Sequence, residues 1–242
     1  MDAKPIAEQN FERHIRQNAY PGRGLVIGRS SAGDAWLQIY WIMGRSPHSQ
    51  NRRFVAEGSS MRTEPVDASL VKDPSLIIYN AMLELPGVYL VSNGDQTDTL
   101  VETLRAGGTF DDALETRERE PDAPNYTPRI SGMLDFTKQP AEIAISILKA
   151  NGINPEFTDR ITFRPAAPPP GLGYCVTTYA GNGKPLPPFT GDPLLMPCQG
   201  RAGEVLSAYW DALDANNRVS LAVKTIPAAG GPGEIVVKNR FG

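Results

Sequence analysis

Between residues 24 and 93 the chain repeats one unit: a short run rich in Val, Ile and aromatic residues, then a link too short to cross a sheet. The runs are "GLVIGRS", "AWLQIYWIMG", "PSLIIYNAMLEL" and "VYLVSNG". Such runs favour strands, and a parallel crossover needs about a dozen residues or more. The link at 31–34 and the Pro86-Gly87 step are far shorter, so they favour antiparallel hairpins. Six further runs read as strands: "RISGMLDF", "EIAISILKA", "ITFRPA", "GYCVTTYAG", "VSLAVKTI" and "EIVVKN".

The pattern switches to helix after Gly94. In "TDTLVETLRAGG" Leu100, Val101 and Leu104 share one face, Asp95 or Thr97 is placed to cap, and Gly107-Gly108 ends the segment. Thr109 caps a second helix, "TFDDALETRERE", whose acids favour the positive end of the helix dipole and which stops near Pro121. A third helix is expected in "AGEVLSAYWDALDAN". Many strands with helices set apart predict an α+β fold of two antiparallel sheets covered by helices. The Pro-rich pieces "PAAPPPG" and "KPLPPF" are short, and they read as stiff loops inside one domain spanning 1–242.

Composition excludes several function classes. The net charge is only −3, so no chain-wide basic field exists to hold nucleic acid or an anionic membrane. No apolar run approaches the roughly 20 residues of a membrane span, and the N-terminus lacks a signal peptide's apolar centre, which together predict a cytoplasmic protein. Cys175 and Cys198 read as free thiols, and with His14 and His48 they match no zinc spacing. No metal or other cofactor is expected.

Polar residues concentrate in a few loops. Arg23, Arg45, Arg52, Arg53 and Arg129 fall at turns or strand ends beside Gly, Ser, Asn or Pro, where a guanidinium fork can grip phosphate. The alternative for each is a solvated surface charge. "SNGDQTD" carries more polar groups than a turn and one cap require, yet Asp95 and Asp98 would repel a phosphate. Asn93, Gly94 and Thr97 therefore either face a neutral, amide-bearing ligand or serve as turn and cap alone. "DAPNYTPRI" presents Tyr126 and Arg129 from a Pro-stiffened loop, and Tyr79 ends a strand either in the core or across a site.

Read in order, "YPGRGLVIGR", "YWIMGRSPHSQNRRF", "DPSLIIYNAM", "VSNGDQTDTL", "EPDAPNYTPRISG", "GNGKPLPPF" and "NNRVSLAV" resemble the archaeal-type IMP cyclohydrolase family and its bacterial relatives. The resemblance runs from Tyr20 to about Val223, leaving residues 1–19 and the tail from 225 as extensions. It implies a four-layer αββα sandwich resembling the N-terminal-nucleophile hydrolases, but without the nucleophile, since the first Ser, Thr or Cys is Ser30, beyond the opening strand. It further implies dehydrative closure of a formamidoimidazole carboxamide ribonucleotide to inosine 5′-monophosphate. That substrate distributes the candidates: Arg23, Arg45, Arg52 and Arg129 toward phosphate, and Asn51, Asn93, Gly94, Asp95 and Thr97 toward the rest of the nucleotide. Arg52, Tyr79 or Tyr126 is expected near the formyl oxygen, with Asp98 or a water taking the proton. An amidohydrolase or a non-catalytic purine-nucleotide sensor on the same fold remains the alternative, and the oligomeric state stays open.

Overall fold

The computed structural model describes residues 3–71 and 78–241. Thirteen described strands form two sheets, and every pairing is antiparallel. The first sheet holds β1 (Gly24–Arg29), β2 (Ala35–Met43), β10 (Leu172–Thr177), β11 (Leu194–Pro197), β12 (Arg218–Pro227) and β13 (Glu234–Asn239), in the order β11-β10-β1-β2-β12-β13. The second is a meander in chain order: β3 (Arg53–Glu57), β4 (Ser60–Glu64), β5 (Asn80–Leu85), β6 (Val88–Ser92), β7 (Arg129–Asp135), β8 (Glu142–Ala150) and β9 (Thr158–Phe163).

Period-two alternation gives each sheet two apolar faces. Along β2, Trp36, Tyr40 and Ile42 enter the core between the sheets, while Leu37, Ile39, Trp41 and Met43 turn outward. The outward set is covered by α1 (Lys4–Phe11), a π-turn over Glu12–Arg16 and α5 (Ala202–Ala212). Along β6, Tyr89 and Val91 face inward, and Val88 and Leu90 pack under α3 (Gln96–Arg105) and α4 (Phe110–Glu115). Sheets apolar on both faces must be covered twice, which is why the helices fall on the two outer sides.

The hairpins expected at 31–34 and at Pro86-Gly87 are present. The predicted strand "PSLIIYNAMLEL" begins only at Asn80, and its residues 74–77 lie outside the described residues. Thr109 caps α4 through Asp112 as the sequence suggests, but that helix ends at Glu115 rather than near Pro121. Asp95 stands at the start of α3 without capping it; two arginines hold its carboxylate instead. Four elements carry no strong sequence signal. Helix α1 is short and weakly amphipathic, β3 and β4 are charged hairpin strands exposed on one side, and β11 is four residues long. The residues after 224 complete β12 and form the edge strand β13. Cys175 and Cys198 are free and fully buried, and burial pushes the Cys198 thiol up to about 12.

Candidate active-site cleft

A cleft of about 460 Å³ opens where β1, β2 and β10 meet the loop that leads into β7. Its position follows from a backbone junction. Gly22 adopts φ +74°, and a Cβ there would lie 2.2 Å from Thr178 Oγ1 and 2.5 Å from the Tyr179 ring. Only glycine satisfies both demands. The close approach lets Arg23 N donate to Thr178 Oγ1 (3.0 Å) and Thr178 N donate to the Arg23 carbonyl (2.8 Å), so β1 and β10 stay joined past their strand ends.

Arg23 then points into the molecule, where its fork meets Glu120 twice: Nη1 to Oε1 at 3.0 Å and Nη2 to Oε2 at 3.1 Å. Both residues are less than a tenth exposed. Desolvation works against the guanidinium's charge, but Glu120 outweighs it and holds the pKa well above the usual arginine value, with Tyr79, Tyr40 and Tyr179 acting in the same direction. Breaking such a pair leaves an uncompensated buried charge, at a cost of about 3–5 kcal/mol.

Glu120 is held by the loop after it. Its N–H donates to the Thr127 carbonyl, while the Asp122 carboxylate accepts from Thr127 N (2.6 Å) and Oγ1 (2.5 Å). The Thr127 hydroxyl also meets the Tyr179 hydroxyl at 2.6 Å. Burial pushes the Tyr179 phenol up to about 12, against the lowering influence of Arg23 and Thr127, so it remains a proton donor at neutral pH. Beneath lies a second hydroxyl pair, Tyr40 with Tyr79 at 2.8 Å, and burial raises the Tyr40 pKa well above its ordinary value.

The other side of the cleft is cationic. Helix α2 (Pro47–Gln50), started by Ser46, carries His48 and turns the chain so that Arg52 donates through Nε to the Ser49 carbonyl (3.0 Å). Arg45 lies over the Tyr20 ring at 4.9 Å and donates to Asn182 Oδ1 (2.5 Å) and the Gly183 carbonyl (3.0 Å). These partners are neutral, so neither arginine has its charge cancelled by them. Lys184 lines the mouth with no hydrogen bond or ion pair among the described residues. The two carboxylates in the lining, Glu120 and Asp122, are already engaged by Arg23 and Thr127.

Of the residues singled out in the sequence, the structure brings Arg23, Arg45 and Arg52 to this cleft. The others find protein partners elsewhere. Asn51 exchanges two hydrogen bonds with the Asp67 backbone (2.7 and 2.8 Å). Asn93 donates to the Pro128 carbonyl (2.9 Å) and accepts from Ile130 N (2.8 Å) and Gln96 Nε2 (3.0 Å). Thr97 is fully buried against Ser92 and the Gly94 carbonyl, and Asp98 accepts from Asn80. Asp95 binds Arg129 (2.7 Å) and Arg117 (2.5 Å); burial alone would raise its pKa, and the two arginines hold it below the usual carboxylate value. Gly94 admits Arg129, whose Nη1 would sit 2.5 Å from a Cβ there. Tyr79 lies under the cleft rather than on its wall, and Tyr126, at φ 43°, stacks beneath Arg119 (4.4 Å).

The polar excess of "SNGDQTD" is thus spent on holding the 120–130 loop and α3. It acts behind the cleft, since the Asn93 carbonyl accepts from Arg23 Nη1 at 3.4 Å. Sequence reasoning missed Tyr20, His48, Glu120, Thr127, Tyr179 and Lys184 as cleft residues. Glu120 and Lys184 both lie in motifs that carry the family resemblance, "EPDAPNYTPRISG" and "GNGKPLPPF", but neither side chain has a signal of its own there.

Residues 20–230 match the family described as IMP cyclohydrolase-like protein. Among curated proteins, the chain is 36% identical over 121 residues to an IMP cyclohydrolase of Methanothrix thermoacetophila, covering 48% of this chain and 57% of that protein. It is 31% identical over 170 residues to one of Methanosphaera stadtmanae (67% and 75%), and 34% over 96 residues to one of Methanocella arvoryzae (39% and 46%). The aligned stretch thus spans little more than half the length of the first of these relatives.

Proposed function

The chain belongs to the IMP cyclohydrolase-like protein family, and on that premise we propose that it closes the purine ring, converting 5-formamidoimidazole-4-carboxamide ribonucleotide to inosine 5′-monophosphate. The observation that carries this reading is the division of one cleft into two halves. Uncompensated cations line one half, and buried hydroxyls with a clamped guanidinium line the other. The substrate divides in the same way, into a 5′-phosphate and a neutral carboxamide with its formyl group.

Arg45, Arg52, His48 and Lys184 hold the phosphate. At the other end the carboxamide nitrogen attacks the formyl carbon, forming the new C–N bond as a proton moves from nitrogen to the formyl oxygen. The resulting carbinolamine loses its hydroxyl, with a second proton, as water. The Tyr179 hydroxyl turns its hydrogen from Thr127 to the formyl oxygen, Arg23 supplies positive charge beside it, and Glu120 keeps Arg23 aimed. Both reacting groups belong to one molecule, so holding the reactive rotamer supplies much of the acceleration. No electrons are gained or lost, and the reaction needs no redox cofactor.

The helices outside each sheet support an αββα sandwich related to the N-terminal-nucleophile hydrolases. Ser30, at the far end of β1 and hydrogen-bonded to Asp34 (2.7 Å), is not placed to act as a nucleophile in this cleft. We place the reaction in the cytoplasm, with a small purine ribonucleotide as the ligand. Incubating purified chain with the formamido ribotide and following ultraviolet absorbance tests the proposal. Inosine monophosphate forms at enzymatic rates if it holds; release of formate or ammonia, or no turnover, overturns it.

A further inference from the structure

The N-terminal segment that precedes the family match builds the wall of a second cavity. Ala7, Phe11 and Ile15 bury themselves in the outer core of the first sheet, the Phe11 ring packs edge-on to Tyr209 at 4.9 Å, and Asn10 donates to the Leu195 carbonyl. Asn18 donates to the Ala180 carbonyl (3.0 Å) and accepts from Tyr20 N (3.1 Å). So anchored, the end of the segment and the 177–194 loop enclose about 620 Å³.

The lining of this cavity includes Arg13 and His14 but no carboxylate. Neither basic side chain has a hydrogen bond or ion pair among the described residues. Burial and the neighbouring Arg13 together lower the His14 pKa, which favours the neutral imidazole while the site is empty. An anion bound between them pairs with the exposed Arg13 guanidinium and favours protonation of the His14 imidazole. Opposite them lie Thr190, the Asn182 amide and the Phe189 ring. From this geometry we infer a second binding site, for a phosphate-bearing small molecule of about nucleotide size, with Arg13 and His14 on the phosphate.

The two cavities share a wall. Tyr179 lines both, its ring stacked on Tyr20 (5.9 Å) and its hydroxyl on Thr127, and Asn182 of the second cavity accepts from Arg45 of the first. An occupant of the second site therefore touches the loop that shapes the first, and coupling between sites is reciprocal.

Titration calorimetry on the full chain tests this with two probes, inosine monophosphate and ribose 5-phosphate. The wild type binds two equivalents of at least one probe. The Arg13→Ala/His14→Ala double variant binds one, melts at an unchanged temperature and turns over the formamido ribotide at low concentration within about twofold of wild type. Arg52→Ala loses the other equivalent instead. Binding of ribose 5-phosphate alone at the second site assigns it to sugar phosphates; binding of the nucleotide alone assigns it to nucleotides. A wild type that binds one equivalent of each probe in mutual competition, or a double variant that keeps every equivalent the wild type binds, overturns the second site. Loss of turnover in wild type would instead overturn the proposed reaction, leaving the stoichiometry as an independent result.

Discussion

Among the described residues two buried ion pairs join this molecule's layers, and they are built for different ends. Arg23 and Glu120 meet through a bidentate fork beside an open cleft, surrounded by the hydroxyls of Tyr179 and Thr127. Lys224, on β12, crosses to Glu84 on β5 at 2.6 Å, donates to the Ser59 carbonyl at 2.8 Å and lies over the Tyr89 ring. Both cations are desolvated, and both are matched by one carboxylate. The Lys224 pair adjoins a hollow whose lining, apart from Glu84 and Tyr89, is Leu, Pro and Gly, whereas the Arg23 pair adjoins a cationic cleft. Burial of charge marks a constraint on folding; the groups placed around the charge decide whether it also serves chemistry.

The largest test separates the pairs by removing each acid. Glu120→Ala and Glu84→Ala each strand a buried cation and lower stability by about 3–5 kcal/mol in denaturant unfolding. Activity per folded molecule divides them: Glu120→Ala loses turnover because Arg23 is no longer aimed, and Glu84→Ala stays within about threefold of wild type. Inactive but folded Glu84→Ala protein would break the comparison.

Tyr179→Phe sharpens it on the cleft side. Removing one donor to a developing oxyanion lowers kcat by about 10²-fold, while stability changes by only about 1 kcal/mol for the lost Thr127 contact. A variant with normal kcat and lowered melting temperature would make Tyr179 a packing residue. Next in size are the phosphate contacts. Arg52→Lys keeps the charge and loses the fork, so kcat/KM falls about tenfold to hundredfold, the equivalent of about 1.5–3 kcal/mol for a charge-assisted contact. The dephosphorylated nucleoside, already a poor substrate, responds little to the same change, and exposed Arg201→Lys responds to neither. Equal losses on nucleotide and nucleoside would move the phosphate away from Arg52.

The smallest effect concerns pH and belongs to the other pair. Burial lowers the Lys224 pKa, and Glu84 only partly opposes it. The unfolded chain then binds more protons than the native one between the depressed pKa and the ordinary lysine value of about 10.4, so this group's contribution to stability rises with pH through that window. Measured against Lys224→Met, the wild type gains relative stability as pH is raised from neutrality toward 10. A difference that is flat or falls would mean that the Glu84 attraction outweighs desolvation.

Local pattern carried much of the fold. Hairpin links of two and four residues and period-two alternation determined the antiparallel pairing, because link length and side-chain direction are properties of the chain itself. Elements that borrow stability from their neighbours were silent: α1 folds by docking Ala7, Phe11 and Ile15 onto a sheet formed far later in the chain. The site was legible as a set of loops rather than as a set of side chains. Arg23, Arg45 and Arg52 reach the cleft, while Asn93, Asp95 and Thr97 hold its supports.

What the sequence determined by itself is therefore most of the strands, their antiparallel order within the short-linked hairpins, and the family that an ordered series of motifs identifies. Only the tertiary structure decided which polar groups are spent and which are free. A hydrogen bond or ion pair between residues 97 positions apart, as between Arg23 and Glu120, leaves no periodicity in the chain. Whether a carboxylate faces a ligand or an arginine depends on what the fold brings within about 3 Å of it, and that is set by the packing of distant elements.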